Sequence, residues 1–402
     1  MLRLSLTMVE NSDAIDEAVD LHDTALEALS RHQATEALTF AEHALELFER
    51  ESGPLHPDVA NVLNCMGTAH ERLGNYDLAK VCFERAVGIM RDVRTRASGK
   101  DIDRLYVQSL IGLGNMERTV ARYVEAEPNL REALTVAETS LGSDDDDVVT
   151  ALNALGVLCK YWGRFDDAEQ FYTRAIEIAE RTRASDESLA TLLHNLGGLE
   201  HARGEYARGE EPARRSVNIR ERVLGRDHPS VAADVAALAA LVEGQGRYEE
   251  AEQMYRRVLA TFERIYGPNH YEIAVNLNNL AGVRDALGHP VEAEALYRRA
   301  LAIKEDLFGP DHPDVAMTLN NLALLLASQG RPEEADALYS RALRTFSERL
   351  EPGHPKIRRC VGNYVALLRD QGRTAAAREL ESLHGRHGPQ RATENTENSD
   401  SD

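Results

Sequence analysis

A single period governs this chain. Residues 314–343 (DVAMTLNNLALLLASQGRPEEADALYSRAL) and 272–301 (EIAVNLNNLAGVRDALGHPVEAEALYRRAL) align without a gap at a shift of 42. With Asn320 as the marker, the equivalent positions are His22, Asn64, Ile111, Asn153, His194, Ala236, Asn278, Asn320 and Gly362, separated by 42, 47, 42, 41, 42, 42, 42 and 42 residues. One insertion near 94–100 and one single-residue deletion near 181–186 account for every departure. Periods of this length mark repeat architectures, in which each copy packs on its neighbours. A chain of 402 residues could otherwise hold two or three globular domains; the period replaces them with one array. The expected division is an N-terminal segment at 1–11, about nine copies over 12–384, the first and last divergent, and a polar, aperiodic tail at 385–402 expected to be disordered.

Each copy reads as two helices. In the first, Leu319, Leu322 and Leu326 recur at helical spacing as an apolar stripe, while Asn320 and Ala327 fall on the other side. Gly74, Gly163, Gly204, Gly246, Gly288, Gly330 and Gly372 then end it, as expected where a chain leaves a helix through a left-handed residue. His32 and Ala121 stand at that position in the first and third copies. The second helix carries Ala335, Tyr339 and Ala342, or Ala168, Tyr172 and Ala175, so that small residues admit a close approach and the ring fills the gap beside them. It stops before Gly-Pro-x-His-Pro at 53–57 and 309–313. There Gly supplies the C-terminal cap, Pro313 suits the first turn of the next helix, and Asp314 meets its dipole. The histidine of this turn recurs as His56, His228, His270, His312 and His354. A whole repeat separates neighbours, so they cannot converge on one metal ion, and capping is the role expected.

These residues resemble the tetratricopeptide repeat, in the 42-residue form of kinesin light chains. The matching motifs are Leu-Asn-Asn-Leu-Ala at 277–281 and 319–323, Gly-x-Tyr-x-x-Ala at 246–251, Tyr-x-Arg-Ala-Leu at 297–301 and Gly-Pro-Asp-His-Pro-Asp-Val-Ala at 309–316. The resemblance covers nearly all of the chain. It implies an all-α, right-handed superhelical solenoid of about nine helix pairs, with the first helices lining a concave groove. It also implies a protein-interaction scaffold that binds a peptide segment of a partner in that groove. The alternative is a sensory or regulatory subunit that binds a signalling peptide or small molecule and controls a separate effector.

At about 100° per residue, Met317, Asn320, Leu324 and Ala327 lie nearly opposite the leucine stripe and are expected to face the groove. Applied to all copies, this frame gives a column of Asn64, Asn153, His194, Asn278 and Asn320. Asn is a middling helix former with one donor and one acceptor group, so its recurrence suits hydrogen bonding to an extended peptide backbone. The resemblance implies the same. The alternative is that these residues bond between adjacent helices and hold the curvature of the stack. Asn195, Asn279, Asn321 and Asn363 form a second column at the groove's edge. A third column runs Glu71, Arg118, Lys160, His201, Glu243, Asp285, Ala327 and Arg369, with a basic middle. With Tyr161 nearby, Arg118, Lys160, His194 and His201 are expected to attract acidic side chains or a terminal carboxylate, while Glu243 and Asp285 favour basic residues. An ordinary solvated mixture of charges is the plainer reading.

Composition removes other classes. The formal charge of −21 argues against nucleic acid, whose non-specific binding rests on Lys and Arg neutralising phosphates. No stretch approaches the roughly 20 apolar residues of a membrane span, and 1–9 is too short for a secretory signal, so a cytoplasmic protein is expected. Cys65, Cys82, Cys159 and Cys360 lie far apart without a Cys-x-x-Cys pair and read as free, mostly buried thiols. The carboxylate run at 144–147 lacks the spacing of a calcium loop and reads as helix capping. No phosphate-cradling loop, Gly-x-Ser-x-Gly elbow or His-Glu-x-x-His helix occurs, so neither catalysis nor a cofactor or metal is expected. The expected partner is a protein or peptide, acidic where it meets the basic column, with self-association open. Residues 1–50 hold three basic and 11 acidic residues, and the acidic segment is a candidate to fold over a basic groove.

Overall fold

The structure, a computed structural model, describes residues 12–384 apart from 32, 351 and 353. The terminal segments and His32 lie outside the described residues. Two compact units emerge, one up to Ile219 and one from Arg220, so that the division falls inside a helix.

Unit 1 contains five first helices: α1 (Ser12–Ser30), α3 (Pro57–Arg72), α5 (Lys100–Thr119), α7 (Asp146–Trp162) and α9 (Asp186–Arg203). Their partners are α2 (Ala34–Glu51), α4 (Tyr76–Arg96), α6 (Tyr123–Val136), α8 (Phe165–Thr182) and α10 (Tyr206–Leu224), the last running on into the second unit. Unit 2 holds the pairs α11 (Pro229–Gly244) and α12 (Tyr248–Tyr266), α13 (Tyr271–Ala286) and α14 (Pro290–Phe308), α15 (Pro313–Ser328) and α16 (Pro332–Arg349), and α17 (Pro355–Asp370) and α18 (Thr374–His384). Among the described residues no strand is present, and within each unit the helix pairs stack as an all-α solenoid. First helices also touch first helices, α3 with α5 and α5 with α7 in unit 1, α11 with α13 and α15 with α17 in unit 2. The expected insertion lengthens α4, which at 21 residues runs to Arg96 before a three-residue link to α5.

The close approach of each pair is visible at its contact points. Gly156 of α7 lies so near Tyr172 of α8 that an added Cβ would sit 2.6 Å from the ring, and the Tyr172 side chain is fully buried. Gly67 of α3 meets the Phe83 ring of α4 in the same way. Phe48, Phe262 and Phe346, each 1% exposed, close the far ends of their second helices; burying such a ring contributes about 1.5–3 kcal/mol.

The turns behave as their residues dictate. All seven inter-helix glycines adopt positive φ, and Ala121 takes the same left-handed conformation at φ 62° without a glycine's freedom. After Gly163, Arg164 N–H donates to Cys159 O at 2.8 Å, closing the orphan carbonyls of α7. At the joints between pairs, all five recurring histidines are N-caps. His56, His228, His270, His312 and His354 each accept at Nδ1 from the backbone N–H two residues on, at 3.1–3.3 Å. Asp145 does the same for α7 with a carboxylate, accepting from Asp147 N–H at 3.0 Å. At the deletion the chain turns through Arg183 at φ 55°, and Ser185 caps α9. Within the acidic run, Asp144 pairs with Arg181, and Asp145 and Asp147 pair with Arg104.

All four cysteines are buried and free. Burial pushes the Cys65 and Cys159 thiols up to about 11 and that of Cys360 to about 12, which leaves them protonated.

Candidate functional site

The asparagine columns bond to each other. Asn195 of α9 donates from Nδ2 to Asn153 Oδ1 of α7 at 2.8 Å. In unit 2, Asn321 of α15 donates to Asn278 Oδ1 of α13 at 3.2 Å, and Asn363 of α17 donates to Asn320 Oδ1 of α15 at 3.2 Å. Asn320 Nδ2 in turn donates to Asn321 Oδ1 at 3.1 Å, so four amides link three successive first helices. Asn64 donates to Ser109 Oγ of α5 at 2.8 Å, and its Oδ1 is buried without a partner. His194 is half-buried.

The helical-wheel placement of Asn320 in an open groove needs correction. Its side chain is 2% exposed, with both ends of the amide engaged. A first helix packs on its own partner, on the second helix of the preceding copy and on neighbouring first helices, which narrows its open arc. Leu324, 51% exposed, lies in that arc, while Asn320 faces α17 and Asn321 faces α13. Asn64, Asn153 and Asn278 are half-buried at the same edge.

The basic column assembles differently. Arg118 near the end of α5, Lys160 and Tyr161 near the end of α7, and His201 near the end of α9 come together on unit 1. The Arg118 guanidinium lies 5.3 Å and the Lys160 ammonium 5.2 Å from the centre of the same Tyr161 ring, which is 58% exposed. Burial, and then the Arg118 charge, hold the Lys160 ammonium below its ordinary range; burial, and then Lys160, do the same to the His201 imidazole. Arg118 Nε is buried and has no hydrogen-bond partner. Among the described residues no carboxylate pairs with Arg118 or Lys160, although most arginines of this acidic chain are paired, Arg104 and Arg164 each with two carboxylates. Carbonyls at the ends of α5, α7 and α9 favour cations there.

The same repeat position is acidic in the first two copies of unit 2, at Glu243 and Asp285. Burial raises the Glu243 and Asp285 carboxyls, and Tyr255 donates to Glu243 Oε2 at 3.0 Å. Gly198 and Gly282 lie beside these groups: a Cβ on Gly198 would sit 3.6 Å from Lys160 Nζ, and one on Gly282 would sit 3.7 Å from Glu243 Oε1, both ordinary contact distances.

The stacked pairs, left-handed inter-helix turns and Ala-Tyr-Ala contacts define a helical-repeat protein. The tetratricopeptide repeat family model matches residues 28–92, 105–181, 188–263, 232–306, 292–348 and 314–382, and the chain belongs to that family. A TPR repeat-containing protein of Dictyostelium discoideum is 26% identical over 130 residues, 32% of this chain; the chain spans 7% of that relative's length. Among solved structures, the nearly identical TPR-like repeats of a putative kinesin light chain from Podosopora anserina are 22% identical at a TM-score of 0.42, over 50% of this chain and 95% of that one. A STAND protein with a tetratricopeptide repeat sensor from Pyrococcus horikoshii is 12% identical at a TM-score of 0.62, over 94% of this chain and 53% of that one. NprR in complex with its cognate peptide NprX is 15% identical at a TM-score of 0.53, over 76% of this chain and 81% of that one.

Proposed function

We propose that this protein is a non-catalytic interaction scaffold whose first unit binds an acidic peptide segment of a partner at Arg118, Lys160, Tyr161 and His201, with His194, Asn64 and Asn153 alongside. One observation carries this reading: two cations without a carboxylate partner share one exposed aromatic ring in a chain of net charge −21. An incoming carboxylate relieves the repulsion between them and gains charge-assisted hydrogen bonds, each contributing about 1.5–3 kcal/mol. The likeness to NprR, solved with its cognate peptide, supports a peptide ligand and a second reading, in which the same site serves a regulatory subunit that reads a signalling peptide. In unit 2, Asn278 is the column's remaining half-exposed member.

Fluorescence anisotropy with a labelled Glu/Asp-rich peptide and its Gln/Asn counterpart tests the reading. The acidic peptide is expected to bind more tightly, and Arg118→Ala combined with Lys160→Ala to weaken it by about tenfold or more, ~1.4 kcal/mol. Equal affinity for the two peptides, or affinity indifferent to ionic strength, defeats it.

A further inference from the structure

Within unit 1, away from the basic cluster, a cavity of about 240 Å³ lies among α1, α2, α3 and α5. It is smaller than the ~300–1,000 Å³ of pockets for drug-sized ligands, so it has room for one side chain. Phe48 and Leu105 supply apolar wall, and His22, Asp58, Asp101 and Arg104, with the neutral Asn61 and Gln108, supply the polar lining. The charge is less balanced than this lining suggests, because Arg104 is already held by Asp147 at 2.7 Å and Asp145 at 3.0 Å. That trio carries an excess of one carboxylate. Among the described residues Asp101 has no cationic partner, and Asp58 approaches only the Nδ1 of its neighbour His56, an atom that accepts the Asp58 backbone N–H.

His22 gives this cavity a demand of its own. It is 6% exposed, lines the cavity, and its Nε2 is buried without a hydrogen-bond partner. An unmet buried polar atom costs about 1–3 kcal/mol, so its retention calls for an explanation. Favourable charge at helix N-termini accounts for Asp58 and Asp101 in the first turns of α3 and α5, but not for His22 or for the cavity. Burial holds the imidazole below its ordinary range, against the pull of Asp23 and Asp58, so at neutral pH it offers an uncharged ring nitrogen that accepts from an incoming N–H.

We infer that this cavity is a socket for a lysine or arginine side chain, its aliphatic stem against Phe48 and Leu105 and its cationic head among Asp58, Asp101 and His22. A long basic side chain combines the two requirements that the lining sets, an apolar body and a charged tip with several donors. An acidic ligand meets net negative charge here, which separates this socket from the basic cluster; neither depends on the other.

The full chain, with its histidines labelled at Cε1, is titrated with N-acetyl-L-arginine amide and N-acetyl-L-lysine amide, with N-acetyl-L-norleucine amide and N-acetyl-L-glutamate as controls. The His22 resonance is identified by its loss in His22→Gln. A saturable shift of that resonance is expected with one or both cationic probes at a roughly millimolar dissociation constant, without one for either control. Asp58→Asn with Asp101→Asn, checked for unchanged thermal unfolding, is expected to weaken the response by about tenfold or more. Absence of a saturable shift with both cationic probes, an equal shift with the norleucine probe, or an unaltered response in the folded double variant overturns the proposal.

Discussion

Replacing Asn320 with alanine separates the two uses of the asparagine columns. The substitution removes two hydrogen bonds, Asn363 Nδ2 to Asn320 Oδ1 at 3.2 Å and Asn320 Nδ2 to Asn321 Oδ1 at 3.1 Å. Each contributes about 0.5–1.5 kcal/mol, and alanine returns up to ~0.7 kcal/mol of helix propensity, leaving a net loss of about 0.5–2.5 kcal/mol. For a unit of 150–250 residues, 1 kcal/mol corresponds to roughly 2–4 °C in Tm, so a fall of about 1–10 °C is expected. Because repeat arrays can unfold in parts, the sharper assay is a double-mutant cycle with Asn363→Ala, followed by urea denaturation. Once Asn320 is gone the Asn363 bond is already broken, so the second substitution costs less than it does alone. A coupling of about 0.5–1.5 kcal/mol is expected. Additive losses within ~0.3–0.5 kcal/mol, or an unchanged Tm together with lost peptide affinity, refute the structural assignment.

Two further outcomes follow from the turns. Ala121→Gly, at φ 62°, relieves a left-handed penalty of about 1–2 kcal/mol and gives back ~0.5–1 kcal/mol of unfolded-state entropy, so the urea midpoint rises modestly; a fall contradicts the strain. Burial first, with Lys356 contributing at both sites, holds His312 and His354 below the ordinary imidazole range of about 6.5. The native state therefore binds fewer protons than the unfolded chain just below that value, and the histidines' contribution to stability, complete above it, is lost as pH falls through the folded values. The carboxyls of Glu243, Glu272 and Asp285, raised by partial burial, act in the opposite direction. The measurement is accordingly the difference in urea midpoint between wild type and His312→Asp with His354→Asp, at pH above and below the imidazole range. The wild type should lose more on acidification, and an equal loss refutes the assignment. Asp145 shows that a carboxylate serves as this cap.

Pairing, turn chemistry and period were legible because each is written in residues whose local physics is narrow. A glycine at φ > 0, a proline at a first helical turn and a tyrosine between alanines leave few alternatives. The capping histidines were legible for the same reason. Asn320 was not, because a helical wheel gives angles around one helix and says nothing about how close neighbouring first helices come. Amide partners 43 residues apart emerge only once those helices stand side by side. The convergence of Arg118 and Lys160 on one Tyr161 ring follows partly from column arithmetic, since all lie near helix ends in adjacent copies. That His22, in the asparagine column, closes a cavity was not legible, because Phe48, Asp58 and Asp101 come from three other helices. Of the acidic N-terminal stretch, residues 1–11 lie outside the described residues, and from Ser12 onward it is the first helix of a packed pair, with Ala18 and Ala25 of α1 fully buried.

The linked asparagines also bear on how such a chain can lengthen. The copies beginning with α13 and α15 each carry an Asn-Asn pair, whose second member can donate to the preceding copy and whose first can accept from the following one. Ala236 before them offers no acceptor, and Gly362 after them offers none to a successor. A tandem duplication of either Asn-Asn copy would therefore bring both halves of its new joints with it, whereas duplication of the copy containing Ala236 or Gly362 would leave a joint unbonded. Growth by whole copies is built into the middle of this unit and withheld from its ends.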